Sequence, residues 1–345
     1  MTVRYWRPGM QVYWREPGSS QIGLDPRCAA VVDGLDPVQQ ALLERLPQLG
    51  SEPDLDVVAR NLGVGRAPVR LLLDRLETAG FLIHDRPLHD GPDERYWHHA
   101  AVAGQPRHRE RGGTCARLVG LDEVGLRIAH ILARSGVGTL ILDDTAPVRT
   151  DDLSSDGYQP DDLGQPRQDR ALVHLRMNHP TTCVTATPAR PDLVVVVAHG
   201  VVDPVLIRPL LRQDLAHLPV LVRELDVMVG PLVQPGSGPC LRCLDLARSD
   251  DDSRWPAVAT QVSTRPPTGT ESVLAWYAAG LAAHQALAWL DGRGTELDGA
   301  SLELTATYPL PRLRRWQVHP HCGCNGVRPR GGEGADRQAS AQPVG

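Results

Sequence analysis

The chain has 345 residues and a formal net charge of −5, and 41% of its residues are hydrophobic but only 4% aromatic. This length accommodates two domains and a sizeable core. The scarcity of aromatic residues and the lack of a basic run argue against a nucleic-acid surface built on stacking and phosphate contacts. All 36 Lys/Arg positions are arginine, so no chemistry that needs a lysine is available within these residues.

Two segments bear on targeting and membranes. The first residues, "MTVRYWRPGM", contain no apolar stretch of the kind found in a secretory signal. The most apolar run, residues 273–290, is long enough to be weighed as a membrane span, but it contains Tyr277, His284 and Gln285 and lacks basic flanks. We therefore interpret it as a buried helix and expect a cytoplasmic protein without membrane contacts.

Residues 1–88 are predicted to form a small α+β domain. Runs typical of strands, separated by proline and glycine turns, occupy residues 11–16, 20–25 and 28–35. Helical patterns follow at residues 36–46, 54–63 and 67–80, before a short strand at residues 81–85. Asp36 and Pro37 are suited to begin the first helix. Helix, helix, longer helix and strand is the order of a winged helix, here with strands in front.

DNA binding is the usual alternative for a winged helix, whose last helix often enters the major groove. That helix contains Arg66, Arg70 and Arg75, but also Asp74 and Glu77. This balance of charges argues against a face that contacts phosphates.

Residues 89–113 are rich in proline, histidine, arginine and glycine and are predicted to be a linker, with a short ordered piece near Tyr96 and Trp97. The adjacent His98 and His99 could ligate a metal, but no partner ligands follow at a suitable spacing.

Residues 114–326 are predicted to form an α/β domain of the Rossmann type. It begins with a strand at 116–120, a helix at 123–136 and a strand at 138–144; further strands are predicted at 192–198, 219–225, 301–307 and 312–318, and a flexible tail at 327–345. Gly120 and Gly125 hold the first and third positions of a G-x-G-x-x-G pattern, with Asp122 in the middle. Asp143 and Asp144 follow about 20 residues later, as in dinucleotide-binding folds.

Four of the seven cysteines form two close pairs, "CLRC" and "CGC". Such pairs, far apart in sequence, are typical of a tetrahedral zinc site, because each pair spans one edge of the tetrahedron. Disulfides are the alternative, and a cytosolic setting disfavours them. The predicted ligands of a structural Zn²⁺ are Cys240, Cys243, Cys322 and Cys324.

Other residues near these pairs leave one alternative open. His319 and His321 flank the second pair and could replace one thiolate ligand. Cys28, Cys115 and Cys183 have no partner and no adjacent base in the sequence, so we interpret them as structural.

The βαβ start, the segments "VRTDDL" and "DLGQPRQDRA", and the cysteine pairs resemble ThiF/MoeB-type adenylyltransferases, relatives of ubiquitin-activating enzymes, over roughly residues 115–326. The N-terminal unit resembles the RiPP recognition element, a winged helix that binds the leaders of ribosomally synthesised, post-translationally modified peptides (RiPPs). The segment around "PGSGPCLRCLDLARSDDD" resembles ThiF-like leader-peptide-binding proteins of azole-forming gene clusters. The resemblance implies a precursor leader peptide, a separate YcaO-type cyclodehydratase and a second copy of the chain as partners.

The family's nucleotide site is only partly retained. The resemblance assigns the acid that contacts the ribose to Asp143 or Asp144. It puts Asp152 where active members have an asparagine, Ser155 at the arginine and Arg167 at the lysine. The late aspartate is replaced by the segment "AHGVVD", whose Asp203 lies a few residues too far along.

These departures weaken adenylation, which gathers negative charge at a phosphate. Asp122 and Asp152 add carboxylates, and an acid about 4–5 Å from a phosphate costs on the order of 3–4 kcal/mol at an effective dielectric constant near 20. Arg167 could still hold a phosphate. We therefore predict no catalytic residues and no productive ATP binding, and a degenerate nucleotide site made of Gly120, Asp122, Gly125, Asp143, Asp144 and Arg167.

The favoured hypothesis is a scaffold that presents a leader peptide to a modifying enzyme. The leader would add a strand along residues 28–35, in a groove against the longest N-terminal helix. The predicted peptide-binding residues are Ala29, Ala30, Val31, Val32, Val69, Leu72, Leu73 and Leu76, whose alternative interpretation is ordinary core. The rival hypotheses are an active adenylyltransferase acting on a peptide or carrier-protein carboxylate, and a DNA-binding regulator.

Overall fold

The computed structural model describes residues 3–84, 92–102, 111–262, 265 and 269–324. The chain divides into two compact units between His108 and Arg109.

The N-terminal unit combines small sheets with a set of helices. Its described elements are β1 (Tyr5–Trp6), β2 (Val12–Glu16), β3 (Ser19–Ile22), β4 (Ala30–Asp33), α1 (Pro37–Leu49), α2 (Glu52–Asn61), α3 (Arg66–Thr78), β5 (Leu82–Ile83) and α4 (Pro92–Val102). Strands β2, β3 and β4 form an antiparallel sheet with β4 at one edge, and β1 pairs with β5. Every strand and helix expected between residues 11 and 83 is found within a few residues of its predicted bounds.

Local signals explain these elements. Asp36 begins α1 by accepting hydrogen bonds from the amides of Val38 (2.9 Å) and Gln39 (2.8 Å), and Gly50 ends the helix with a φ of 77°. The two-residue strand β1 was not predicted. Helix α4 occupies 11 residues where only a short ordered piece was expected.

The C-terminal unit is a mixed α/β fold, as the sequence predicts. Its described strands are β6 (Cys115–Val119), β7 (Thr139–Asp143), β8 (Cys183–Thr185), β9 (Leu193–His199), β10 (His217–Val222), β11 (Asp226–Val229), β12 (Ala300–Thr305) and β13 (Tyr308–Arg315). Its described α-helices are α5 (Glu123–Arg134), α6 (Arg167–Asn178), α7 (Pro204–Arg212), α8 (Leu241–Asp251), α9 (Trp255–Val262) and α10 (Ser272–Leu290). Short 3₁₀ helices span Arg111–Gly113, Thr150–Asp152 and Pro160–Asp162.

The described strands form one sheet in the order β13-β12-β11-β10-β9-β6-β7-β8. Pairing is parallel from β10 to β8 and antiparallel from β10 to β13. The short strands β8 and β11 were not predicted. Strand β6 pairs with β7 on one side and β9 on the other, so the chain order reverses there, and ligands of such folds bind beyond the carboxyl ends of these strands.

Apolar side chains cover both faces of the sheet. Helices α5 and α10 pack on one face, and α7 and α8, with the cysteine pairs, pack on the other. Among the described residues, α10 is the one helix whose length and composition would suffice to cross a membrane, and 61% of its most apolar window is buried within the fold.

Candidate functional site: a filled nucleotide crevice and a four-cysteine cluster

The turn between β6 and α5 needs glycine for reasons of packing alone. A Cβ added to Gly120, whose φ is +85°, would lie 2.3 Å from the carbonyl oxygen of Val197. A Cβ added to Gly125 would lie 2.1 Å from the carbonyl oxygen of Gly120. These two glycines therefore establish the strand–turn–helix, and their presence does not by itself indicate a nucleotide.

Asp122 lies where an anion would bind at the beginning of α5. Its Oδ1 accepts a hydrogen bond from the amide of Gly125 (2.9 Å), and its Oδ2 lies 2.5 Å from Nε2 of His199, the last residue of β9. Burial alone would raise the pKa of Asp122, but the hydrogen bond and charge of His199, with the Gly125 amide, lower it. The partial positive charge of the helix N-terminus is thus already matched by a carboxylate of the protein.

Arg167, which the sequence resemblance aligns with a lysine, is engaged by acids. Its Nε and Nη2 donate to the two carboxylate oxygens of Asp152 at 2.8 and 2.9 Å, and its Nη1 lies 3.3 Å from Asp144. Arg167 is 7% exposed and Asp152 is 4% exposed. Burial raises the pKa of Asp152, and the Arg167 guanidinium opposes that rise. Asp152 and Arg167, which differ separately from the residues that the resemblance leads one to expect, thus form one buried ion pair.

The two acids at the end of β7 have different surroundings. Asp144 accepts hydrogen bonds from the amides of Leu121 (2.7 Å) and Ala146 (2.9 Å), so it holds the glycine turn in place. Asp143 forms an ion pair with Arg117 on the neighbouring strand β6. Both candidates for the ribose contact therefore already have partners within the protein.

The space left between these groups is small. The pocket measures about 20 Å³, which is room for one or two water molecules. Its lining consists of Asp122, Glu123, Val124, Arg149, Asp151, Asp152, Arg167, His199, Gly269 and Thr270. Ser155 and Asp203 are not among them, and Asp203 instead begins α7 by accepting from the amide of Val205 (2.8 Å).

Sequence reasoning missed two residues of this region. Tyr158 is fully buried, and its hydroxyl donates to the carbonyl of Leu121 (2.7 Å) in the glycine turn. His199 could have been noticed, because it ends a strand that is predicted to finish at the ligand-binding edge. Nothing in the sequence identifies Tyr158, which reaches the turn from a loop.

The four predicted cysteine ligands meet on the other face of the sheet. Their sulfur atoms all lie within 4.8 Å of one another, with contacts of 3.9, 3.5 and 3.4 Å. A tetrahedron with Zn–S bonds of about 2.3 Å has S–S edges of about 3.8 Å. Burial raises the pKa of the Cys324 thiol to about 11, so full ionisation of the set needs a cation. The cluster could hold a metal ion such as zinc.

The two histidines beside the cysteines take other roles. Nε2 of His319 lies 2.8 Å from a carboxylate oxygen of Asp250, and its Nδ1 accepts the amide hydrogen of His321. Across the described ranges, the four cysteines are the only grouped His, Cys, Asp and Glu side chains with metal-binding spacing, and the His98–His99 pair is not part of any such group.

The predicted peptide-binding residues fall into two classes. Val31 is 47% exposed on β4, whereas its neighbour Val32 is 8% exposed and belongs to the core. The helix residues are at most 2% exposed and belong to the same core: Val69, Leu72, Leu73 and Leu76. These four residues therefore form the buried face of α3, and their alternative interpretation as core replaces the prediction that they line a groove. Apolar residues at helical spacing are expected for a helix that packs on a core, so the pattern alone does not indicate a groove.

No strand among the described residues pairs with the outer edge of β4. The amide of Gly23 donates to Gln11 (2.9 Å), which turns the carbonyl of Ile22 toward β4. Because backbone groups alternate along a strand, Ala30 and Val32 bond to β3, and Val31 directs its N–H and C=O outward. Helix α3 approaches this edge, where Nη2 of Arg75 donates to the carbonyl of Asp33 (2.9 Å).

No protein-family model matches the chain, and no curated protein matches its sequence. Solved structures do match. E. coli MccB with selenomethionine MccA is 14% identical with a TM-score of 0.60, covering 94% of this chain and 100% of that one. E. coli MccB with ATP is 15% identical with a TM-score of 0.60 and the same coverage. Selenomethionine PaaA is 14% identical with a TM-score of 0.61, covering 90% of this chain and 99% of that one. The likeness shows that this chain shares the fold of MccB and PaaA.

Proposed function

We propose that this chain is a leader-peptide-binding scaffold of a RiPP pathway and that it does not adenylate its peptide. The observation that carries the proposal is the open edge of β4 beside α3, where an extended peptide can add a strand. The fold of MccB, which has been crystallised with the peptide MccA, supports the same assignment. The N-terminal unit would then be a RiPP recognition element of the winged-helix type.

The filled crevice supports the absence of adenylation. A triphosphate that took Arg167 from Asp152 would leave a buried carboxylate unpaired, which costs about 3–5 kcal/mol. The carboxylate of Asp122 beside the phosphates would add about 3–4 kcal/mol. Together these costs approach the roughly 8 kcal/mol of a micromolar complex.

The C-terminal unit would act as a docking scaffold. The family resemblance predicts that it presents the bound peptide to a YcaO-type cyclodehydratase and that it pairs with a second copy of the chain. The four-cysteine cluster would hold one structural Zn²⁺, because four thiolates leave no open position for catalysis. This ion would fix the segment after β13 to the start of α8.

Peptide selection tests the binding site. The full-length protein is immobilised and used to enrich a displayed library of random 12-residue peptides, and enriched peptides are then titrated in solution. Val31→Pro removes the outward N–H of β4 and leaves the ladder with β3 intact, so we expect binding at least ten times weaker. Val31→Thr, the matched control, keeps the N–H and should bind within about threefold of the wild type. Equal binding by Val31→Pro would exclude the β4 edge.

ATP–pyrophosphate exchange with the enriched peptides tests the scaffold role. We expect no exchange above a blank without protein. Robust exchange that disappears in Arg167→Ala would show that the crevice opens and that the chain is an adenylyltransferase.

A further inference from the structure

The acids of α3 already have partners within the N-terminal unit. Arg4 contacts Asp74 (2.6 Å) and Glu77 (3.1 Å) on α3, and Glu52 (3.0 Å) at the start of α2. His84 lies 2.7 Å from the other carboxylate oxygen of Glu77. Both acids of α3 therefore already have partners on the side of the helix that faces Arg4.

The side of α3 that faces β4 is different. At 100° per residue, Pro68, Leu71 and Arg75 share one face of the helix, away from both the core stripe and the Arg4 side. Leu71 is 59% exposed. Among the described residues, Arg75 has no carboxylate partner; it donates to the carbonyl of Asp33, whose carboxylate accepts instead from Ser19 (2.6 Å).

This face therefore offers one apolar side chain and, beside the edge of β4, one guanidinium that no carboxylate of the described residues contacts. A guanidinium has five N–H donors and no acceptor, and its bond to the Asp33 carbonyl uses one of them. The group that best satisfies the remaining donors is a carboxylate, which can accept two of them side by side.

Resting on the proposed function, we propose that the groove between β4 and α3 selects extended peptides carrying an aliphatic residue and an Asp or Glu two positions apart. The aliphatic side chain would contact Leu71, and the carboxylate would pair with Arg75. The spacing fits, because Leu71 and Arg75 are separated by a rise of about 6 Å along the helix. Residues i and i+2 of a strand share a face and lie about 6.6 Å apart.

The test repeats the library selection with three full-length proteins, the wild type, Arg75→Glu and Arg70→Glu. Arg70 is an exposed arginine on the same helix, turned about 140° from Arg75, so it is the matched control. We expect the wild type and Arg70→Glu to enrich acidic residues two positions from an aliphatic residue. Arg75→Glu should enrich Lys and Arg there instead.

Individual peptides give the magnitude. In an enriched peptide, Glu→Gln should weaken binding to the wild type about two- to fivefold and should have no effect in Arg75→Gln. Acid-free enriched peptides, or an acidic preference that survives Arg75→Glu, would overturn this inference while leaving the peptide-binding function intact. No enrichment over Val31→Pro would overturn both. Binding of a 20-base-pair duplex that Arg70→Glu and Arg75→Glu weaken alike would indicate a phosphate-binding face instead.

Discussion

Substitutions of Asp122 should separate its two roles, the cap of α5 and the partner of His199. Asp122→Asn keeps a capping side chain but removes the charge, and Asp122→Ala removes both. Breaking a fully buried ion pair costs about 3–5 kcal/mol of unfolding free energy. The side chain of His199 is 23% exposed, so we expect Asp122→Asn to cost about 2 kcal/mol. The lost cap adds about 1 kcal/mol, so Asp122→Ala should cost about 3 kcal/mol.

The assay is urea unfolding of the full-length protein at pH 7. Asp203→Ala is the matched control, because Asp203 caps α7 at an exposed site, so it should cost only about 1 kcal/mol. If Asp122→Ala cost no more than Asp203→Ala, the pair between Asp122 and His199 would contribute nothing and the filled-crevice argument would lose its basis.

The pH dependence supplies a second check on Asp122. Its pKa in the folded protein is lowered, so its contribution is complete above the unfolded value of about 3.9 and is lost as the pH falls through the folded value. The difference in stability between the wild type and Asp122→Asn should shrink as the pH falls below about 4. A difference that keeps growing below about pH 4 would contradict this assignment.

Three further predictions concern other parts of the C-terminal unit. Metal analysis should find one zinc per chain, and Cys243→Ser or a strong chelator should release it. The loss should lower the thermal midpoint by more than 10 °C, because a structural zinc site contributes on the order of 10 kcal/mol to folding. Gly125→Ala should destabilise the protein, because the added Cβ meets a backbone oxygen at 2.1 Å, whereas Gly280→Ala, with open space around it in α10, should stabilise it by about 1 kcal/mol in the same unfolding assay. Burial and the charge of His179 (2.9 Å away) lower the pKa of His130 to about 4, so its stability contribution should fall by about 2 kcal/mol as the pH drops from about 6.5 to 4, and His130→Phe should abolish that slope.

Much of the N-terminal unit could be predicted from sequence, but its surface could not. The helical spacing of the apolar residues in α3 identifies Val69, Leu72 and Leu76 as one face, and this face packs in the core of the N-terminal unit. The same spacing cannot show which neighbouring face of the helix approaches β4. That depends on how α3 packs, and the bond from Arg75 to Asp33 identifies it.

The sequence by itself determined most elements of the N-terminal unit, the glycine turn and the cysteine pairs, because each is a short-range pattern. One CxxC pair and one CxC pair can together supply four tetrahedral ligands once the fold brings the two pairs together. The pairing of residues distant in sequence was decided only by the tertiary structure. Asp122 meets His199 because β6 and β9 are neighbours, and Arg167 meets Asp152 because a loop returns across the crevice. The list of substituted positions predicts a weakened site, and the packed fold shows which of the charged side chains contact one another.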